Sequence, residues 1–141
     1  MASITPFLWL DGNVRGAVAF YTSVFPDTQV EAVSDFMATF VLQGQRFHAL
    51  NGGPQLKFTE AVSFFVSVET QEEVDSLWAA LLAGGGEESR CGRLKDRFGL
   101  SWQVVPTALG HHLSNPDRAM KAMLTMRKLD IAALEAAAAA G

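Results

Sequence analysis

The chain has 141 residues, which suits one compact domain or two tightly fused half-domains and excludes a Rossmann-type methyltransferase or dehydrogenase. Hydrophobic residues make up 49%, with Phe 10, Trp 3 and Tyr 1, enough apolar surface to offset the ordering entropy of a core and to exclude intrinsic disorder of the body. The net charge is −4 with no basic run, which excludes a nucleic-acid or anionic-membrane surface.

The aromatic and β-branched run Ile4–Leu10 predicts a first strand, apolar on both faces. Asn13 is placed to cap a helix, and Ala17, Phe20, Tyr21, Val24 and Phe25 recur on one helical stripe until Pro26 stops it. Strands follow at Thr28–Ser34, Met37–Leu42 and Gln45–Leu50, with a turn at Gln43-Gly44 and a close at Asn51-Gly52-Gly53-Pro54. A second strand, Ala61–Val68, leads to Thr70 and Glu73 as a capping box, and the helix they open runs out into Gly84, Gly85 and Gly86. Glu87–Cys91, Leu94–Arg97 and Leu100–Val105 read as three more strands, with Phe98-Gly99 at a turn and Pro106 at the end. From about Leu109 the pattern changes. Ser114 or Asn115 can cap a helix with Pro116 in its first position and Met120, Met123, Leu124 and Arg127 at helical spacing, and Asp130 can cap another that ends in the alanine run. The Met stripe reads as packing.

A gap-free shift that lays Ile4 on Ala61 puts Phe7 on Phe64 and Trp9 on Val66. The same shift lays Ala17, Phe20, Tyr21, Val24 and Phe25 on Val74, Leu77, Trp78, Leu81 and Leu82. A β-α-β-β-β module is therefore expected twice, over 1–55 and 56–108, with a helical flank over 109–141 that covers the sheet or a partner subunit. The one cysteine, Cys91, has no partner for an internal disulfide. With no signal segment and no run of ~18 apolar residues, a cytoplasmic protein is expected.

The segments Ile4-Thr5-Pro6-Phe7-Leu8-Trp9, Asp11-Gly12-Asn13, Asn51-Gly52-Gly53-Pro54, Leu94-Lys95-Asp96, Gly99-Leu100-Ser101-Trp102-Gln103 and Lys128-Leu129-Asp130-Ile131 resemble the PhnB-like branch of the vicinal oxygen chelate superfamily. That superfamily holds glyoxalase I, bleomycin-resistance proteins and extradiol dioxygenases, and members of the branch are often labelled demethylubiquinone methyltransferase-like. Arg93 departs from it, since relatives commonly carry Trp there. The resemblance implies an α+β fold in which duplicated modules form a curved mixed-sheet cup, with a helix outside each sheet and C-terminal helices added. Period-two alternation on that register puts Phe7, Trp9, Phe64, Val66, Trp102 and Val104 under the helices. Pro6, Leu8, Ser63, Phe65, Ser101 and Gln103 then look into the cup. A slip of one residue exchanges the two lists.

Active members of the superfamily hold a divalent metal with His and Glu from the first and last strands of each module. Those positions fall here on Pro6, Ala49 (or Asn51), Ser63 and Gln103, none of which carries an anionic or imidazole donor, so no metal and no other cofactor is expected. His48 is expected to point away from the cup, and the adjacent His111 and His112 diverge. Cys91 lies near Arg90, Arg93, Lys95 and Arg97, cations that lower a thiol pKa, but no histidine is placed beside it and inert packing is the default. Glu87 and Glu88 point to opposite faces, and Lys95, Asp96 and Arg97 read as an exposed charged turn, with Lys95 or Asp96 available to orient a polar ligand. The glycine triplet follows a helix instead of opening one, so a methyl-donor site is unsupported.

The function expected is binding of an apolar or aromatic small organic ligand in a cup lined by Leu8, Phe47, Asn51, Ser63, Phe65, Cys91, Ser101 and Gln103. The alternatives are a metal-dependent or metal-free enzyme of the lyase, isomerase or dioxygenase type, and an interaction role with a vestigial cup. A homodimer is expected, with neither nucleic acid nor membrane as partner.

Overall fold

The computed structural model describes residues 1–107 and 116–139. His111, His112 and the helix caps assigned to Ser114 or Asn115 lie outside the described residues. The elements are β1 (Phe7–Leu10), α1 (Val14–Val24), β2 (Thr28–Val33), β3 (Met37–Leu42), β4 (Gln45–Asn51), β5 (Ser63–Val68), α2 (Gln71–Leu82), β6 (Glu87–Glu88), β7 (Arg93–Lys95), β8 (Ser101–Pro106), α3 (Pro116–Leu124) and α4 (Ile131–Ala139). They form two compact units, Met1–Lys57 and Phe58–Gly141. Each holds a four-stranded mixed sheet, ordered β1-β4-β3-β2 in the first and β5-β8-β7-β6 in the second, with the first and last strands of each module paired in parallel. The fold is α+β, as the repeat predicts.

In the first unit α1 buries Val14, Ala17, Val18, Phe20 and Tyr21. Its Tyr21 ring stacks on Phe40 at 6.2 Å, and Phe40 stacks on Phe47 at 5.5 Å. The sheet residues on that buried side are Leu8, Leu10, Ala38, Phe40, Leu42, Phe47 and Ala49. Here the structure corrects the expected alternation: Leu8 and Ala49 are register partners under α1, while Phe7 and Trp9 lie on the opposite face. The cause is one residue. Leu10 is followed by Asp11 and Gly12 before the cap Asn13, whereas Val68 is followed only by Glu69 before the cap Thr70. A gap-free shift aligns the helices and slips the strands, so every side chain of β1 changes face. The extra length is taken up in left-handed backbone, φ 81 at Gly12 and φ 51 at Asn13, and Gly12 N donates to Asn51 Oδ1 at 2.7 Å. Glycine is suited to that turn because it carries no Cβ.

In the second unit the alternation is as expected. Phe64, Trp102 and Leu94 are register partners on the helix side, the first two with rings 5.4 Å apart, and α2 buries Val74, Trp78 and Leu81 there. The capping box forms, with Glu73 N donating to Thr70 Oγ1 at 3.1 Å. Strand β6 stops at Glu88 instead of reaching Cys91, because the chain turns through left-handed backbone at Cys91 (φ 61) and Gly92 (φ 77). A Cβ at Gly92 would meet Val104 O at 2.9 Å, which leaves no room for a side chain.

The C-terminal helices pack on their own unit. Leu129 and Leu134 bury against Val105, with Ala122, Met123 and Met126 around them. Gln71 on α2 grips the segment from both sides, donating to Leu129 O at 3.0 Å and accepting from Ile131 N at 2.8 Å. Cys91 N and Gly92 N donate to the carbonyls of Met126 and Arg127. Among the described residues no helix is long and apolar enough to cross a membrane.

Candidate functional site

Each sheet turns one face to its helix, and the site residues are to be sought on the other. In the first unit that face carries Phe7, His48 and Thr39 in one row and Trp9, Leu50 and Met37 in the next. His48 therefore stands on this face and not on the helix side; its Nδ1 is 2.9 Å from Thr39 Oγ1, and its ring lies 5.9 Å from Phe7. The Trp9 indole donates to Gly53 O at 2.9 Å, and its ring occupies the space a Cβ at Gly52 would need. Leu8 and Phe47, expected as ligand-lining, are both core residues at 4% exposure. Asn51 braces the β1–α1 turn through Gly12.

In the second unit the corresponding face holds Ser63, Ser101, Lys95 and Glu87 in one row and Phe65, Gln103 and Arg93 in the next. Gln103 Nε2 donates to Ser63 Oγ at 2.8 Å, and Phe65 is 60% exposed. A cavity of about 240 Å³ opens at the β6–β7 side, lined by Glu60, Glu87, Arg93, Lys95 and Ser101 among others. Lys95 Nζ is ion-paired with Glu60. Cys91 lies in the turn ahead of β7, half-buried, outside any strand.

Two sequence expectations change here. Asp96 is not part of an exposed turn: it is 3% exposed, its Oδ1 accepts from Phe98 N at 2.8 Å and Leu100 N at 3.1 Å, and its Oδ2 accepts from Trp102 Nε1 at 2.9 Å. It shapes the β7–β8 turn and is not available to a ligand. Glu87 and Glu88 do face opposite sides. Glu88 accepts from the Trp78 indole at 3.0 Å, while Glu87 shares a row with Lys95.

The charged groups influence one another in a definite direction. The hydrogen bond from Lys95 holds the Glu60 carboxyl below its ordinary 4.5, and Glu60 in turn raises Lys95 above 10.5. The Trp78 N–H, and after it Arg127, hold Glu88 below 4.5. A depressed carboxyl contributes stability that is present above its unfolded pKa and fades as pH falls through the lower folded value. Lys95 contributes below its unfolded pKa and loses that contribution as pH rises through its raised one. Carboxyl NMR titration is expected to place the Glu60 midpoint below 4.5 in the native chain and to return it toward 4.5 in Lys95→Ala. An unchanged midpoint would show that the pair does not persist in solution.

The register correction also resets the positions where the resemblance places metal ligands. His48 stands to Phe7 as Gln103 stands to Phe65, so the first unit supplies His48 in place of Ala49, and Phe7 or the preceding Thr5 in place of Pro6. The second unit supplies Ser63 and Gln103. The set holds a single imidazole and no carboxylate, and neutral Ser and Gln oxygens do not offset dehydration of a divalent ion. Among the described residues no three His, Cys, Asp or Glu gather in a group that could hold a metal ion. These residues do not fit the metal. Sequence reading missed His48 and Glu60; strand parity, counted separately for strand and helix, carries the signal for His48.

Residues 2–105 match the sequence model of the family described as 3-demethylubiquinone-9 3-methyltransferase. No curated protein matches the chain. A solved PhnB protein from Bacillus cereus, described as a 3-demethylubiquinone-9 3-methyltransferase, is 30% identical at a TM-score of 0.69, covering 75% of this chain and 100% of its own. A Pseudomonas aeruginosa protein matches at 22% identity and TM-score 0.60, over 75% of this chain and 98% of that one. The genomically encoded fosfomycin resistance protein FosX from Listeria monocytogenes, solved with Mn(II) and sulfate, matches at 15% identity and TM-score 0.57 over 73% and 87%, a likeness of fold alone. With the duplicated β-α-β-β-β topology and a family match over residues 2–105, this chain belongs to the PhnB-like family described as 3-demethylubiquinone-9 3-methyltransferase.

Proposed function

We propose that this chain binds a small organic molecule with an apolar or aromatic body, and does so without the superfamily's divalent ion. The observation that carries the reading is the make-up of the two sheet faces turned away from the helices. Each is mixed by itself: the first unit's sets Phe7, Trp9 and Leu50, exposed or half-buried, beside His48 and Thr39, and the second unit's sets exposed Phe65 beside Ser63 and Gln103, while the carboxylates a metal needs are absent from the register positions. Such a mixture is the usual composition of ligand pockets. Methyl transfer, which the family's description names, finds no support in the connections: β1–α1 is Asp11-Gly12-Asn13, β5–α2 is Glu69-Thr70, and Gly84 to Gly86 follow α2.

The test is a thermal-shift and NMR screen of the full chain against neutral aromatic and quinone-like compounds, run in EDTA and again with added Mn(II) or Zn(II). Ligand-induced shifts of the Phe7 and Trp9 resonances of the first unit, or of the Phe65 resonances of the second, that are the same in both buffers are the expected result. Binding that requires the metal, no binding by any compound, or stoichiometric methyl transfer from S-adenosylmethionine would overturn the reading.

A further inference from the structure

Two side chains in the second unit, Ser101 and Arg93, carry chemistry that its packing does not use. Ser101 is 5% exposed, and its buried hydroxyl has no hydrogen-bond partner among the described residues, although it lines the 240 Å³ cavity. Lys95, its register partner, is committed to Glu60. Arg93 is exposed, lines the same cavity and makes no side-chain ion pair or hydrogen bond among the described residues. Its row runs Phe65, Gln103, Arg93 across three adjacent strands, a span of roughly 10 Å between the end Cα atoms, on the same face as an apolar ring that is 60% exposed.

From this arrangement we infer that the second unit's open face recognises a monocarboxylate with an aromatic or apolar body, the carboxylate at Arg93 and Ser101 and the body on Phe65. The inference rests on the small-molecule reading above and names its ligand class. Arg93 offers the planar fork that matches a carboxylate bidentately. A carboxylate oxygen in the cavity also gives the Ser101 hydroxyl the acceptor it lacks, and an unmade buried hydrogen bond is costly. The charge count selects one negative charge. The cavity is lined by Glu60, Glu87 and Glu88 beside Lys95 and Arg93; Lys95 is paired with Glu60 and Glu88 with Arg127, which leaves Arg93 as the one uncommitted cation among the described lining residues. A phosphoryl dianion would place its second charge against Glu87 with no cation to meet it.

The experiment is an amide NMR titration of the full chain with phenylacetate, its neutral isostere phenylacetamide, and benzylphosphonate. Phenylacetate is expected to shift the amides of Arg93, Ser101 and Gln103 and to bind about tenfold more tightly than phenylacetamide. Arg93→Gln, at an exposed position whose own spectrum reports the intact fold, is expected to erase that preference. Ser101→Ala is expected to weaken the acid several-fold and the amide little. Equal affinity for acid and amide, or a preference that survives Arg93→Gln, overturns the carboxylate assignment while leaving small-molecule binding in place. Tighter binding of benzylphosphonate overturns the monoanion assignment. Absence of shifts from all three probes at tens of millimolar overturns the carboxylate site, and the neutral-compound screen then decides the broader reading separately.

Discussion

Asp96→Ala is expected to lower the stability of the chain by about 3–5 kcal/mol. The carboxylate takes three donors at once: the amides of Phe98 and Leu100 and the indole of Trp102, the last of which is itself buried. Alanine leaves those donors inside the protein with no acceptor, and each buried orphan costs about 1–3 kcal/mol. Asp96→Asn keeps one carbonyl oxygen and turns an amino group toward one of the donors, so its expected cost is smaller, about 1–3 kcal/mol. Urea unfolding followed by tryptophan fluorescence measures both. A loss below ~1 kcal/mol for the alanine variant would mean that the β7–β8 turn is held by something other than this side chain.

Phe47→Ala is expected to cost about 3–5 kcal/mol, whereas Phe65→Ala should change stability by no more than ~0.5 kcal/mol. By sequence the two residues are alike, both aromatic and both expected to line the ligand cup. The structure separates them. Phe47 is stacked on Phe40 under α1 at 4% exposure, so its removal leaves a cavity in a close-packed region. Phe65 is 60% exposed, and truncating it removes contact area from the open face and not from the core. Thermal melts of the two variants, paired with phenylacetate titrations, should show a destabilised Phe47 variant and a stable Phe65 variant with weakened binding. If Phe65→Ala is the destabilising change, the assignment of faces in the second unit is wrong.

Much of the architecture was open to reading from local pattern. The helical stripes from Ala17 to Phe25 and from Val74 to Leu82, the Thr70 capping box, and the turns at Gln43-Gly44 and Phe98-Gly99 are properties of a few neighbouring residues, and neighbours are what a sequence displays. The candidate site depended on parity. Because side chains alternate across a strand, one extra residue between Leu10 and Asn13 puts Leu8 in the core and Trp9 and His48 on the other face, while in the second module, without that insertion, the expected alternation of β5 and β8 matches the register. The end of β6 at Glu88, short of the expected Cys91, has a related reason, since only the left-handed backbone at Cys91 shows that the strand has already ended.

From the sequence alone came the doubled β-α-β-β-β plan and the family resemblance, because motifs and periodicity are local and survive without a fold. Only the tertiary structure decided that Leu8 and Phe47 are core, that Asp96 is buried as the acceptor of three donors, that the C-terminal helices pack on their own unit, and that Arg93 and Ser101 line one cavity. Those facts depend on which distant strands lie side by side and on the parity with which they meet. Register across a sheet is set by the packing of the whole unit, and a single inserted residue reverses it.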